Sequence, residues 1–245
     1  MKCLDKSLDN TNIPWRRMAK QFQSGTLEPG VYVIIKGKSR GRYFFQDAIL
    51  AMEIEKGNDA YYILPLKHRP YINQAVENAR ELLVENCLIE GTGMVYEREV
   101  ETLEDMLAEL DKIGYHGKDS RVVAIEGIEG LKGENGRTAT DADIRRALSD
   151  IKHLAFDYDL TVLVCVDGEI AADEIFPSLN SSAAALEQVA TAAFSIANTR
   201  DKVYLEKAGY KVEKCEESYG LDGHKNIFVR IIKNQTGISG CVFGI

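Results

Sequence analysis

A run of five β-branched or aromatic residues followed by a polar, glycine-containing stretch decides the fold. It reads Val31-Tyr32-Val33-Ile34-Ile35 and continues as Lys36-Gly37-Lys38-Ser39-Arg40-Gly41-Arg42-Tyr43. Such a run is typical of a buried strand, and the glycines indicate the loop that leaves it. The apolar residues that follow fit a helix ending near Gly57. Ligands of open α/β sheets bind beyond the carboxyl ends of the strands, so residues 37–43 are the first candidate binding loop.

Strand and helix patterns alternate along the rest of the chain. Strands are predicted at 60–64, 94–96, 121–126 and 160–166, helices from Pro70, around 103–110 and over 144–155, and a terminal hairpin at 227–232 and 241–245. Residues 183–197 are alanine-rich and fit either a helix or a strand, and Thr140 with Asp143 predicts a capping box. We therefore predict an α/β three-layer sandwich, with a mostly parallel central sheet, helices on both faces and a C-terminal antiparallel hairpin. We expect residues 1–25 to be an N-terminal segment and residues 26–245 to be the core domain.

The composition is that of a globular protein and argues against several classes of function. Of the 245 residues, 45% are hydrophobic and 28% charged, and the net charge of −8 disfavours a surface that coats nucleic acid throughout. The five cysteines include no C-x-x-C pair and the four histidines lie far apart, so we expect no metal site. No signal peptide or long apolar segment is recognisable, which predicts a cytoplasmic protein that does not associate with membranes.

The candidate loop differs from a working phosphate-binding loop, which reads G-x-x-x-x-G-K-[ST]. Gly37 and Gly41 are one residue too close, Arg42 replaces the lysine, and Tyr43 replaces the hydroxyl that holds Mg²⁺. An ordinary Mg-ATP site is therefore not expected. The loop belongs to a basic segment with a single acidic residue, Glu28. The basic residues between Ile13 and Tyr43 are Arg16, Arg17, Lys20, Lys36, Lys38, Arg40 and Arg42. This segment fits either a solvated loop or a contact with phosphate or nucleic acid.

Four stretches together resemble the RecA-like ATPase core. The similarity is closest to the motor domain of DnaB-type replicative helicases and to KaiC-like RecA paralogues. Residues 27–35 resemble the entry into the phosphate-loop strand, residues 122–131 Walker B, residues 148–155 the helix before the sensor strand, and residues 231–240 a terminal hairpin. The resemblance covers residues 13–245 and implies a RecA-like fold. In that family the hairpin reaches the γ-phosphate bound by a neighbouring subunit.

The positions that carry catalysis in this family differ here. Lys67 stands where a catalytic glutamate is expected, and Glu126 stands in place of the Walker B aspartate. Asp167 lies at the sensor position, where the family has glutamine. In the hairpin Lys233 is retained, but Gln235 replaces the arginine finger, a group worth roughly 10³–10⁵ in rate. The lysine and hydroxyl of the phosphate loop, the catalytic carboxylate and the finger arginine thus all differ at once. Four changes across separate segments indicate that phosphoryl transfer has been lost.

The sequence therefore predicts a RecA/DnaB-like core protein that has lost ATP hydrolysis, with no catalytic residue and no cofactor. The resemblance implies a regulatory or structural partner in DNA replication or recombination, acting through self-association or through an active helicase or recombinase paralogue. One alternative is an active ATP-dependent enzyme that binds ATP or ADP with Mg²⁺. In it Arg42 would bind phosphate, Glu126 would hold the metal, and Asp167 or Glu129 would act as base.

A second alternative is a DNA-binding module that uses the basic segment, including Arg16, Arg17 and Lys20.

Plainer structural roles compete with several of these assignments. Glu126 also fits an acidic strand end that accepts hydrogen bonds, and Lys233 fits a solvated hairpin lysine. Tyr61 and Tyr62 suit core and edge positions of a sheet better than a base-stacking platform. Trp15 suits a residue that packs the N-terminal segment onto the domain.

Overall fold

The computed structural model describes residues 13, 15–37, 44–65, 76, 93–116, 122–133, 136–169, 176–178, 189–198, 212–213 and 227–244. Its helices are α1 (Arg16–Ala19), α2 (Phe44–Glu55), α3 (Leu103–His116) and α4 (Asp141–Asp157), with a 3₁₀ turn at Ile128–Gly130. Its strands are β1 (Gly30–Lys36), β2 (Ala60–Pro65), β3 (Val95–Val100), β4 (Val122–Glu126), β5 (Thr161–Asp167), β6 (Ala192–Asn198), β7 (Val212–Glu213), β8 (Ile227–Asn234) and β9 (Val242–Gly244).

The nine strands that the structure describes form one sheet in the order β3-β2-β4-β5-β1-β6-β8-β9-β7. The six strands from β3 to β6 pair in parallel, whereas β8 is antiparallel to both β6 and β9. The predicted α/β architecture, with a mostly parallel sheet and a C-terminal antiparallel hairpin, is confirmed. In such a sheet all parallel strands end at one edge, which we call the carboxyl edge.

Side-chain alternation divides the interior into two cores, one on each face of the sheet. On one face α2 and the N-terminal segment pack against residues such as Tyr32 and Leu163. On the other face α3 and α4 pack against residues such as Val33 and Val164. The arrangement is that of a three-layer sandwich.

The structure decides one element that the sequence left open and extends another. The alanine-rich stretch, which fitted either helix or strand, forms β6 over its last residues and is buried between β1 and β8. Strand β3 is longer than predicted, because it also includes the charged residues Glu97, Arg98 and Glu99. It is an outer strand of the described sheet, where Glu97 and Arg98 are half-buried and Glu99 is exposed. The helix predicted from Pro70 lies outside the described residues, apart from Val76.

The described part of the N-terminal segment is part of the core. Ile13, Trp15 and Met18 are fully buried, and the Trp15 ring stacks on Phe45 of α2 with centroids 5.2 Å apart. The interpretation of Trp15 as a packing residue is therefore confirmed. Among the helices that the structure describes, none is long and apolar enough to cross a membrane.

The capping box of α4 is present as predicted and supports a specific test. The Asp143 amide donates to Thr140 Oγ1 at 3.3 Å, and the Thr140 amide donates to Asp143 Oδ2 at 2.9 Å. We expect Thr140→Ala to lower the free energy of unfolding by about 1 kcal/mol, measured by urea denaturation. Ser149→Ala, at an exposed position in the same helix, is the control and should cost nothing.

The same motif predicts a dependence on pH. Hydrogen bonds from the Thr140 side chain and backbone lower the pKa of Asp143. A lowered carboxyl pKa adds stability above its ordinary value, and that stability is lost as the pH falls through the lowered value. Thr140→Ala should therefore cost most near neutral pH and progressively less below about pH 4. An equal cost at pH 7 and pH 3 would contradict this account of the cap.

Candidate functional site

Three parallel strands bring their last residues together beneath the first turn of α2. Strand β5 lies between β1 and β4, with Lys36 beside Asp167 and Glu126 beside Cys165 in the register. Because side chains alternate along each strand, Lys36, Glu126 and Cys165 point to the face that α2 covers. This is the carboxyl edge, where the sequence placed the candidate binding loop.

An ion pair lies buried at this point. Lys36 Nζ is 3.6 Å from Glu126 Oε2, and the two side chains are only 2% and 0% exposed. Two charges removed from water are tolerated only when each compensates the other and further hydrogen bonds satisfy the remaining polar atoms. The Lys36 ammonium is therefore a counter-charge for the carboxylate at the Walker-B-like position.

The first turn of α2 supplies further hydrogen bonds to this pair. Gln46 Nε2 donates to Glu126 Oε1 and also to the Tyr62 hydroxyl, at 3.2 Å in the second case. The Cys165 thiol donates to Gln46 Oε1, and the Tyr62 hydroxyl donates to Asp47 Oδ1. All of these side chains are buried. The network fixes Glu126 from two sides and ties α2 to three strands.

The surroundings of Glu126 do not fit the magnesium ion that the active-enzyme alternative requires. A divalent cation within reach of the carboxylate would approach the Lys36 ammonium, with a repulsion of roughly 4 kcal/mol per unit of metal charge at about 4 Å. Mg²⁺ also retains several of its water molecules, which need open space. The Glu126 side chain is instead completely buried and already neutralised.

Two further acidic residues lie on the solvent-facing side of the carboxyl edge. Asp167 ends β5 and is exposed, and Glu129 lies in the 3₁₀ turn that follows β4. Partial burial of the Glu129 carboxyl raises its pKa, and the nearby negative charge of Asp167 raises it further. Both residues that the active-enzyme alternative offered as a base therefore lie near each other and near Lys36. They do not share the buried network of Glu126.

The hairpin residues are remote from this cluster. Asn234 pairs with Ala192, which begins β6, and the Gln235 amide donates to the Thr191 carbonyl at 2.9 Å. Lys233 and Gln235 thus lie where the parallel strands begin, at the opposite side of the sheet from the carboxyl edge that holds Glu126. Within one chain they do not join the carboxyl-edge site.

The remaining candidates fall partly outside the described residues. Lys38, Ser39, Arg40, Gly41, Arg42 and Tyr43 of the loop lie outside them, as does Lys67, while Gly37 follows β1 and is buried. Arg16 and Arg17 begin α1, their side chains are outside the description, and Lys20 is exposed. Lys36, which the sequence counted in the basic segment, is buried in its ion pair. It is therefore not available to contact phosphate or nucleic acid.

Sequence reasoning missed the part that Lys36, Gln46 and Tyr62 play in the buried network around Glu126. Their signal was weak: a lysine at the end of a buried strand, and polar residues in a helix whose neighbours are nearly all apolar. Tyr62 is fully buried, and its hydroxyl also joins the network. Tyr61 is half-buried on β2 and stacks on Tyr96 of β3 with ring centroids 5.1 Å apart.

Comparison of the chain with protein-family models found no match, and comparison with curated proteins found none either.

Proposed function

We propose that this chain is a RecA-like core protein, similar to the motor domain of DnaB-type helicases, that does not hydrolyse ATP. Its role is that of a regulatory or structural partner in DNA replication or recombination. The pathway rests on the sequence resemblance, whereas the loss of hydrolysis rests on the geometry of the carboxyl edge. The sequence departures in the loop, at Lys67 and at Gln235 point in the same direction.

One observation carries the loss of hydrolysis: the carboxylate of Glu126 is completely buried and paired with Lys36 at 3.6 Å. In a phosphoryl-transfer site the metal neutralises charge on the phosphates and is held by an acidic residue of this strand. Here the ammonium of Lys36 neutralises that acidic residue. The Gln46 amide engages the other carboxylate oxygen.

Steady-state turnover of ATP by the full chain, with Mg²⁺ and with and without single-stranded DNA, tests the catalytic part. We expect a rate equal to that of Arg42→Ala and indistinguishable from the background without protein. Turnover well above this background that falls in Arg42→Ala would contradict the proposal and favour the active-enzyme alternative. The matched variant separates turnover by this chain from that of a contaminant.

An unwinding assay tests the role as a partner. The chain is added in increasing amounts to the replicative helicase or recombinase of the same cell. We expect the rate of unwinding or strand exchange to change and to saturate at a fixed stoichiometry. No change at any ratio would contradict the proposed role while leaving the catalytic part intact.

A further inference from the structure

The N-terminal segment and the hairpin at the other end of the chain are hydrogen-bonded to each other. The Gln21 carbonyl accepts from the Ile238 amide at 3.0 Å and from Asn234 Nδ2 at 3.0 Å. The Gln23 amide donates to the Thr236 carbonyl at 2.9 Å, and Phe22 forms a β-bridge with Gly237. More than 200 residues of sequence separate the partners, so these are long-range contacts that join the N-terminal segment to the C-terminal hairpin.

The fit between these segments leaves no space at one position. A Cβ atom on Gly237 would lie 1.7 Å from the Gln21 carbonyl oxygen, far below any real contact. Glycine is therefore required there because the backbone of the N-terminal segment passes so close, and not because of its dihedral angles.

The segment is anchored by its apolar side chains. Trp15, Met18, Ala19 and Phe22 recur at spacings of three and four residues and are all buried. Phe22 packs against Phe194 of β6 with ring centroids 6.1 Å apart. The segment then leaves the core, because Gln23 and Ser24 are exposed and Gly25 has a φ of +74°.

The tip of the hairpin has few anchors of its own. Residues Gly237 to Gly240 are exposed, and Ile238 is 60% exposed despite its apolar side chain. Within the tip, Asn234 Oδ1 accepts from the Thr236 amide at 3.1 Å, which shapes the turn but does not attach it to the domain. Within the described residues, the bond from the Gln235 amide to Thr191 and contacts with Gln21 and Gln23 attach the tip to the domain.

We propose that residues 15–23 form a strap that holds the tip of the β8–β9 hairpin closed, and that strap and tip open together as one unit. The exposed tip has few buried contacts, and such segments open locally at low cost unless a neighbouring segment holds them. The strap can hold the tip because its own apolar side chains are buried in the core. Release of the strap uncovers Phe45 and Phe194 and frees the tip at the same time. The device does not depend on the proposed function, because it involves neither nucleotide nor the carboxyl edge.

Amide hydrogen exchange of the full chain, followed by mass spectrometry, tests the strap. Phe22→Ala weakens its anchor, and Leu110→Ala truncates an equally buried residue of α3 on the opposite face. We expect Phe22→Ala to speed exchange over residues 234–240 about tenfold more than Leu110→Ala does. An equal increase in both variants would overturn the proposal.

The reverse experiment starts from the hairpin. Asn234→Ala removes a hydrogen bond to Gln21 from an only partly buried side chain, so the variant is expected to fold. We expect it to speed exchange of the Gln23 amide and its neighbours in the strap, while amides of β4 keep their wild-type rates. Unchanged exchange in the strap would overturn the proposal. This test does not require Phe22→Ala to fold.

Discussion

Replacing Lys36 by methionine is expected to lower the free energy of unfolding by about 3–5 kcal/mol, a large share of the stability of an ordinary domain. The aliphatic part of the side chain is kept, so the cavity is small. The carboxylate of Glu126 is left without its counter-charge at a site with no exposure to water. Urea denaturation followed by circular dichroism measures the loss.

The matched control is the double variant Lys36→Met with Glu126→Leu. Replacing both partners of a buried ion pair by apolar residues is often neutral or stabilising. The Gln46 amide then keeps the Tyr62 hydroxyl as a partner. We expect the double variant to recover most of the stability that Lys36→Met loses. A single variant that costs less than about 1 kcal/mol would show that the pair is not closed in solution.

Replacing Trp15 by alanine is expected to cost about 3–5 kcal/mol of unfolding free energy. The indole is fully buried, stacks on Phe45 and contacts the Phe44 ring at a centroid distance of 6.4 Å. Removing it opens a cavity between the N-terminal segment and α2.

Trp15→Phe serves as the control because it keeps an aromatic ring against Phe45 and should lose much less. Circular dichroism is the appropriate probe, since Trp15 is the single tryptophan and its fluorescence is lost in both variants. Equal losses in the two variants would contradict the importance of cavity size, and no loss in either would place the segment outside the core.

The sequence predicted the layers of this fold well because the layers follow from local periodicity. The apolar run at 31–35 and the capping box at Thr140 each specify their element without distant information. The sequence did not distinguish helix from strand for β6, because a run of alanines shows no alternation of apolar and polar residues. The strand is buried by its neighbours β1 and β8, which lie far away in the sequence. Helix or strand was decided there by tertiary packing.

The buried pair could not be predicted because it depends on strand order. Lys36 and Glu126 are 90 residues apart, and β5 separates their strands by two inter-strand spacings, about 10 Å in all. The long lysine side chain spans that gap, and the glutamate extends about 1.5 Å further than an aspartate would. A glutamate at position 126, rather than the aspartate that the resemblance to Walker B would imply, thus suits the reach of this ion pair.

Titration calorimetry of ATP into the full chain, once with Mg²⁺ and once with EDTA, tests the central claim most directly. If Lys36 neutralises Glu126 in place of a metal, Mg²⁺ will not tighten whatever binding ATP shows, and the two titrations will coincide. Binding that is tenfold or more tighter with Mg²⁺, and that loses this gain in Glu126→Gln, would show that the carboxylate is available to a metal and would contradict the account.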